Sequence, residues 1–139
     1  MKILILCTGN SCRSQMAEGF LKAFDDKLMV YSAGTKPSNQ VHPLAIQVME
    51  ELGVAIKENK PKSSEQFINE AFDYVITVCG DAQENCPIFN GDVKHQLHIG
   101  FEDPDKATGT AEEILQQFRI IRDEILRNFF TFWQKELKN

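Results

Sequence analysis

Long apolar runs are the first thing this 139-residue sequence lacks. No stretch approaches the ~18 apolar residues that span a bilayer, so no membrane partner is expected. The N-terminus has one lysine and a short apolar run that reads as a strand rather than a signal peptide, which points to the cytoplasm. Positive charge is also short: 15 Lys and Arg stand against 20 Asp and Glu, a net charge of −5. That balance argues against nucleic acid as a partner. An anion site in such a chain must be local, built from backbone N–H groups rather than from a basic patch. Histidine is scarce, and His42, His95 and His98 show no metal-ligand spacing; they are expected at the surface or at helix caps. No internal repeat, low-complexity tract or linker divides the chain, so residues 1–139 are expected to form a single domain with its own core. There are four cysteines, at positions 7, 12, 79 and 86. With no signal peptide, working thiols in a reducing compartment are expected rather than a disulfide framework.

What the sequence does have is concentrated near its start, in Lys2-Ile-Leu-Ile-Leu-Cys7-Thr-Gly-Asn-Ser-Cys-Arg13-Ser14. The spacing predicts a strand, a tight loop and a helix. Cys7 falls at the strand's carboxyl end, and the N–H groups of Thr8, Gly9, Asn10, Ser11, Cys12, Arg13 and Ser14 would curl around one point. Such a nest, backed by a helix N-terminus, binds a tetrahedral oxyanion. Arg13 adds a planar fork for two oxygens. Donors and a cation around a cysteine also favour its thiolate, the nucleophilic form. The competing explanation is a buried strand and turn with incidental cysteines, since cysteine is among the most buried residue types.

Further along, Met16, Phe20, Ala23 and Phe24 share a helical face, and Leu28–Ser32 reads as a second strand closed by Ala33 and Gly34. Pro43 suits the first turn of a helix that Gly53 would end. Ser63 and Gln66 have capping-box spacing before a short helix. Asp73–Cys79 is the clearest remaining strand, and Asp92–Ile99 a weaker fourth. A long C-terminal helix starts at a Thr110/Glu113 capping box and carries Ile114, Phe118, Ile121, Ile125, Phe129 and Phe132 as its apolar stripe. Strands alternating with helices predict an α/β fold: a three-layer sandwich with a four-stranded parallel sheet flanked by helices. Ligands of such sheets lie beyond the carboxyl ends of the strands. Cys7, Cys79 and Asp103 all fall there.

Cys79 and Cys86 bracket Gly-Asp-Ala-Gln-Glu-Asn and are followed by Pro87. A redox pair is the favoured interpretation, against a buried strand-end cysteine with an incidental neighbour; zinc has little support from this spacing. A helix over this segment would hold the two Cα atoms ~10 Å apart, whereas a disulfide needs about 5.5 Å. Oxidation is therefore expected to unwind it. Cys12 is expected to pack inward, with a protective disulfide to Cys7 as the alternative. Asp103, before Pro104, is a candidate proton donor for a departing oxygen, with Glu102 and Asp105 as competitors by spacing alone.

The run from Cys7 to Ser14, together with Asp103-Pro104, resembles the low-molecular-weight protein tyrosine phosphatases and, equally, the thioredoxin-coupled arsenate reductases built on that fold. The Cys79/Cys86 pair favours the reductases, and the absence of aromatic residues after Pro104 disfavours a phosphotyrosine site. The resemblance implies an enzyme that converts arsenate to arsenite, with Cys7 as nucleophile and Asp103 as general acid. It also implies transient Cys7–Cys79 and Cys79–Cys86 disulfides and thioredoxin as reductant. Phosphate or sulfate would fit the same loop, and weak phosphatase activity would accompany the main reaction; phosphatase is the alternative function. A monomer with no tightly bound cofactor is expected. Some reductases of this kind bind potassium, which would here use Asn10, Glu18, Ser32 and Glu65.

Overall fold

The computed structural model describes residues 1–80 and 89–138. Four strands form one sheet: β1 (Lys2–Cys7), β2 (Met29–Gly34), β3 (Phe72–Thr77) and β4 (Val93–His98). Their order is β2-β1-β3-β4, and each neighbouring pair is parallel. Three α-helices accompany them: α1 (Arg13–Phe24), α2 (Pro43–Glu50) and α3 (Ala111–Phe132). Single 3₁₀ turns occur at Ser64–Phe67 and Pro104–Lys106, and a π turn, Trp133–Leu137, extends α3.

From Ile3 to Cys7 strand β1 is apolar, and it is buried on both faces. Ile3, Ile5 and Cys7 turn to the face that holds Met16 and Phe20 of α1, Val48 and Met49 of α2, and Phe118, Ile125 and Phe129 of α3. Leu4 and Leu6 turn to the other face, beneath Phe67, Phe72 and Phe89. The expected α3 stripe is buried from Phe118 to Phe132, and the Thr110/Glu113 capping box is present in both directions. Pro43 opens α2, and Gly53 sits beyond its end with φ +77°. At the first 3₁₀ turn Ser63 caps the Glu65 N–H, a shorter cap than the expected box. Arg122 sits buried within the α3 stripe. Its Nη1 donates to the Val48 carbonyl at 3.0 Å and to Glu51 at 2.7 Å, fastening α2 to α3.

The sheet order creates one special place. The chain goes from β1 outward to β2, then crosses back to β3 on the other side of β1. At such a switch point a crevice opens between the carboxyl ends of the two central strands. β2 runs on to Gly34, two residues past Ser32, because it pairs with β1 all the way to Cys7. β3 stops at Thr77, opposite Leu6, though the Val78 N–H still reaches the Leu6 carbonyl at 3.0 Å. Cys79 thus lies just past the ladder rather than within it. The short helix expected after it, and Cys86 itself, lie outside the described residues. No described helix is long and apolar enough to cross a membrane.

Candidate active site

The loop after β1 turns back on itself through Asn10, whose φ of 52° is left-handed. Asparagine tolerates that conformation, and its side chain is fully buried and fully used. Its amide nitrogen donates to Ser14 Oγ at 2.8 Å and Ser32 Oγ at 2.9 Å. Its amide oxygen accepts from the Lys62 N–H at 2.9 Å and Gln15 Nε2 at 3.1 Å. Gln15 is held in turn by Asn59 Nδ2 at 3.2 Å. Among the described residues, no buried side-chain nitrogen or oxygen lacks a hydrogen-bond partner.

Cys7 Sγ lies 2.9 Å from Ser14 Oγ and accepts from the Asn10 N–H at 3.2 Å. Ser14 Oγ accepts from Asn10, and its own hydrogen is available to donate to a Cys7 thiolate. Two donors aimed at one sulfur stabilise its anion. Helix α2, helix α3 and both 3₁₀ turns begin with a side-chain cap, whereas α1 begins at Cys12 with none. No side chain of the N-cap residue covers the start of α1, and a helix N-terminus is a favourable place for an anion.

Arg13 is 4% exposed. Its Nη1 donates to the Phe101 carbonyl at 3.1 Å, and its Nη2 stands 3.6 Å from Asp103 Oδ2. Asp103 caps the turn Pro104–Lys106 by accepting from the Asp105 N–H at 3.0 Å. These groups enclose a cleft of about 360 Å³. Its floor is Cys7, Thr8, Gly9, Ser11, Cys12 and Arg13; Thr35, Lys36 and Ser38 form one wall, and Asp103, Asp105 and Lys106 the other. No aromatic side chain is among these lining residues, so a planar ring would find nothing to stack on.

The expected residues meet here, with differences. Cys12 lines the cleft, but burial pushes its thiol up to about 12, against a smaller lowering by Ser11. Cys79 is 1% exposed and shares the buried cluster of Cys7, Cys12 and Phe101, at the same edge of the sheet. Gly80 packs against the Phe101 carbonyl so closely that a Cβ would sit 2.4 Å from its oxygen. Of the potassium ligands, Asn10, Ser32 and Glu18 do come together, and Ser32 Oγ donates to Glu18 Oε1 at 2.6 Å. Glu65 is exposed and stands outside that chain of bonds. Lys22 Nζ occupies the other Glu18 oxygen at 2.7 Å. Each oxygen of the trio thus faces a donor of the chain itself, which does not fit a potassium ion. No group of three or more His, Cys, Asp or Glu among the described residues could hold a metal ion.

The sequence profile described as "Low molecular weight phosphotyrosine protein phosphatase" matches residues 2–139. The chain belongs to the low-molecular-weight phosphotyrosine protein phosphatase family. Within that family it is 45% identical over 131 residues to an arsenate reductase of Halalkalibacterium halodurans, covering 94% of this chain and 93% of that one. A solved arsenate reductase in its phosphate-binding state superposes with a TM-score of 0.79 at 34% identity, covering 96% of this chain and 97% of the other. A thioredoxin-dependent arsenate reductase of Corynebacterium glutamicum matches with a TM-score of 0.60 at 28% identity, over 94% of this chain and 62% of that longer one. The phosphatase-family loop and the Asp-Pro turn are the parts of the site that sequence made visible.

Other supports come from residues that carry no such signature. Gly34 is the clearest: a Cβ there would lie 2.3 Å from the Thr8 carbonyl oxygen. The only sequence hint is a glycine closing the second strand. Lys62 and Gln15 are equally silent in sequence, although Lys62 also bonds the Gly34 N–H through its carbonyl at 2.8 Å.

Two outcomes follow from this geometry. Gly34→Ala should push the loop off Thr8 and weaken inorganic phosphate binding by roughly tenfold or more, measured by calorimetry, with circular dichroism unchanged. Because its thiol is raised to about 12, Cys12 at pH 8 is thiolate in only about one molecule in ten thousand. Its alkylation by iodoacetamide, followed by peptide mass spectrometry, should rise about tenfold per pH unit from 8 to 10 without a plateau.

Proposed function

We propose that this chain reduces arsenate to arsenite by a relay of three thiols, Cys7, Cys79 and Cys86. The observation that carries this is the position of Cys79, buried in the same core as Cys7 and two residues past the end of β3, the strand that pairs with β1 up to Leu6. The similarity to arsenate reductases over most of the chain supports it.

Arsenate, a tetrahedral oxyanion, sits in the loop on the N–H groups of residues 8–14 and the Arg13 fork. The Cys7 thiolate attacks arsenic, Asp103 gives its proton to a departing hydroxyl, and water leaves a Cys7–S–As(V) adduct. The Cys79 thiolate then attacks the Cys7 sulfur. An S–S bond forms, the S–As bond breaks, and its electron pair stays on arsenic, which departs as arsenite. Cys86 next attacks the Cys79 sulfur and expels Cys7 as thiolate, leaving a Cys79–Cys86 disulfide. A thioredoxin-type dithiol reduces that disulfide; the thioredoxin-dependent neighbour supports this choice of donor. The two electrons come from the chain's own thiols, each step being displacement by a thiolate. A cycle that must regenerate thiols suits the reducing cytoplasm, and all its parts lie on one monomer. Hydrolysis of phosphate esters follows from the same cradle as a weak side activity, because the cleft gives an aryl group nothing to stack against.

The test follows NADPH oxidation with arsenate, thioredoxin and thioredoxin reductase. Cys79→Ser and Cys86→Ser should each lose roughly a hundredfold or more of turnover. Aryl phosphate hydrolysis, which needs Cys7, Arg13 and Asp103 only, should persist in both. Strong phosphatase turnover by a wild-type protein that reduces no arsenate would overturn the assignment.

A further inference from the structure

His42 touches four parts of the site's frame at once. Its backbone N–H donates to the Ser11 carbonyl of the oxyanion loop at 3.0 Å. Its Nδ1 accepts from the Leu44 N–H at 3.1 Å, capping α2. Its ring lies over Phe118 of α3, centroid to centroid 4.8 Å. Its Nε2 stands 3.0 Å from Asp105 Oδ1. A ring nitrogen that accepts from a backbone N–H carries no hydrogen, so in the neutral ring the hydrogen is on Nε2 and is donated to Asp105. Asp105 in turn gives its own N–H to Asp103 Oδ1 at 3.0 Å. The other Asp103 oxygen faces Arg13.

We propose that His42 is a positioning residue that latches the turn Pro104–Lys106, and with it the Asp103 carboxyl, against the oxyanion loop. The latch works because its fixed end is rigid. Three of the four contacts of His42 are to a helix start, the loop's own backbone and a fully buried phenyl ring, so only the Nε2–Asp105 bond reaches the opposite wall of the cleft. The distance from Asp103 to a ligand over Cys7 is then set through Asp105 rather than by Asp103 alone. A proton donor displaced by about 1 Å loses much of its effect. This rests on the proposal that Asp103 is the proton donor.

His42→Asn separates the two jobs of the side chain. Asparagine is among the best helix N-caps, so the Leu44 N–H stays bonded, but the shorter amide does not reach Asp105. Asp105→Ala removes the other half of the bond at an exposed position where folding is not at stake. Both variants should show faster hydrogen exchange at the residue-105 amide, about tenfold, by NMR. Both should lower kcat for arsenate reduction about tenfold with KM changed less than about threefold, and the double variant should be no worse than either. In an Asp103→Asn background, His42→Asn should lower kcat no further. Unchanged exchange at residue 105 in His42→Asn would overturn the latch. So would an undiminished kcat loss in the Asp103→Asn background, since His42 would then act by another route. If Asp103→Asn itself leaves kcat intact, the proton-donor assignment falls instead, and the exchange measurement still decides whether His42 holds the turn.

Discussion

The buried amide of Asn10 is the constraint on which the rest of the site depends. A left-handed residue at the bend of the loop brings the backbone N–H groups to one side. The side chain that permits this bend is also locked from behind by four hydrogen bonds. Removing an amide from water costs several kcal/mol unless its donors and acceptors are matched. Here the matching partners come from α1, β2 and the segment before the first 3₁₀ turn. The loop can therefore hold its shape only when those three elements are already docked. The geometry of an anion cradle has been transferred from local backbone preference to tertiary packing, which makes it rigid before any ligand arrives.

That division explains what was legible in the sequence and what was not. Strand, loop and helix at the N-terminus could be read because each signal is local: an apolar run, a Gly-Asn bend, a helical stripe. The capping box at Thr110 was legible for the same reason. The extent of β2 to Gly34 was not, since it is fixed by pairing with β1 up to Cys7 rather than by composition. The requirement for glycine at 34 is set by the Thr8 carbonyl, a neighbour from the loop after β1, and no single-sequence pattern encodes that distance. Arg122 was hidden because a charged residue in an apolar stripe reads as solvated. Its guanidinium is instead satisfied by the end of α2, including a backbone carbonyl that leaves it well bonded although buried. Glu65 enters the potassium set only through the family resemblance, and the described partners of Glu18 are Ser32 and Lys22.

A chain of net charge −5 attracts a small dianion only if the positive potential is concentrated. Arg13, the N-terminus of α1, and Lys36 and Lys106 on opposite walls provide that concentration at the cleft. Carboxylates sit close by, yet Asp103 is engaged with Arg13 and Asp105 with His42. Each acidic group on the far wall is thus tied to a positive or hydrogen-donating partner. The arrangement keeps an acid within reach of the ligand without letting its charge oppose binding in full.

A thiol relay also has to avoid the wrong partner. Three of the four cysteines gather at the carboxyl edge of the central strands, and Cys12 is nearer to Cys7 in sequence than Cys79 is. The chemical state of Cys12 sets it apart from an ordinary thiol. Cys12 is buried under the loop with Asp103, Asp105 and Cys7 all raising the cost of a second negative charge, and its thiol stands at about 12. Attack on sulfur requires a thiolate, so a thiol held this far above neutrality reacts slower by orders of magnitude than an ordinary thiol of the same accessibility. Cys79 approaches from outside the loop, past the end of β3, where Gly80 lets the chain run close under Phe101. Burial keeps Cys12 in its thiol form, which makes it a poor competitor for the Cys7 sulfur in the proposed relay.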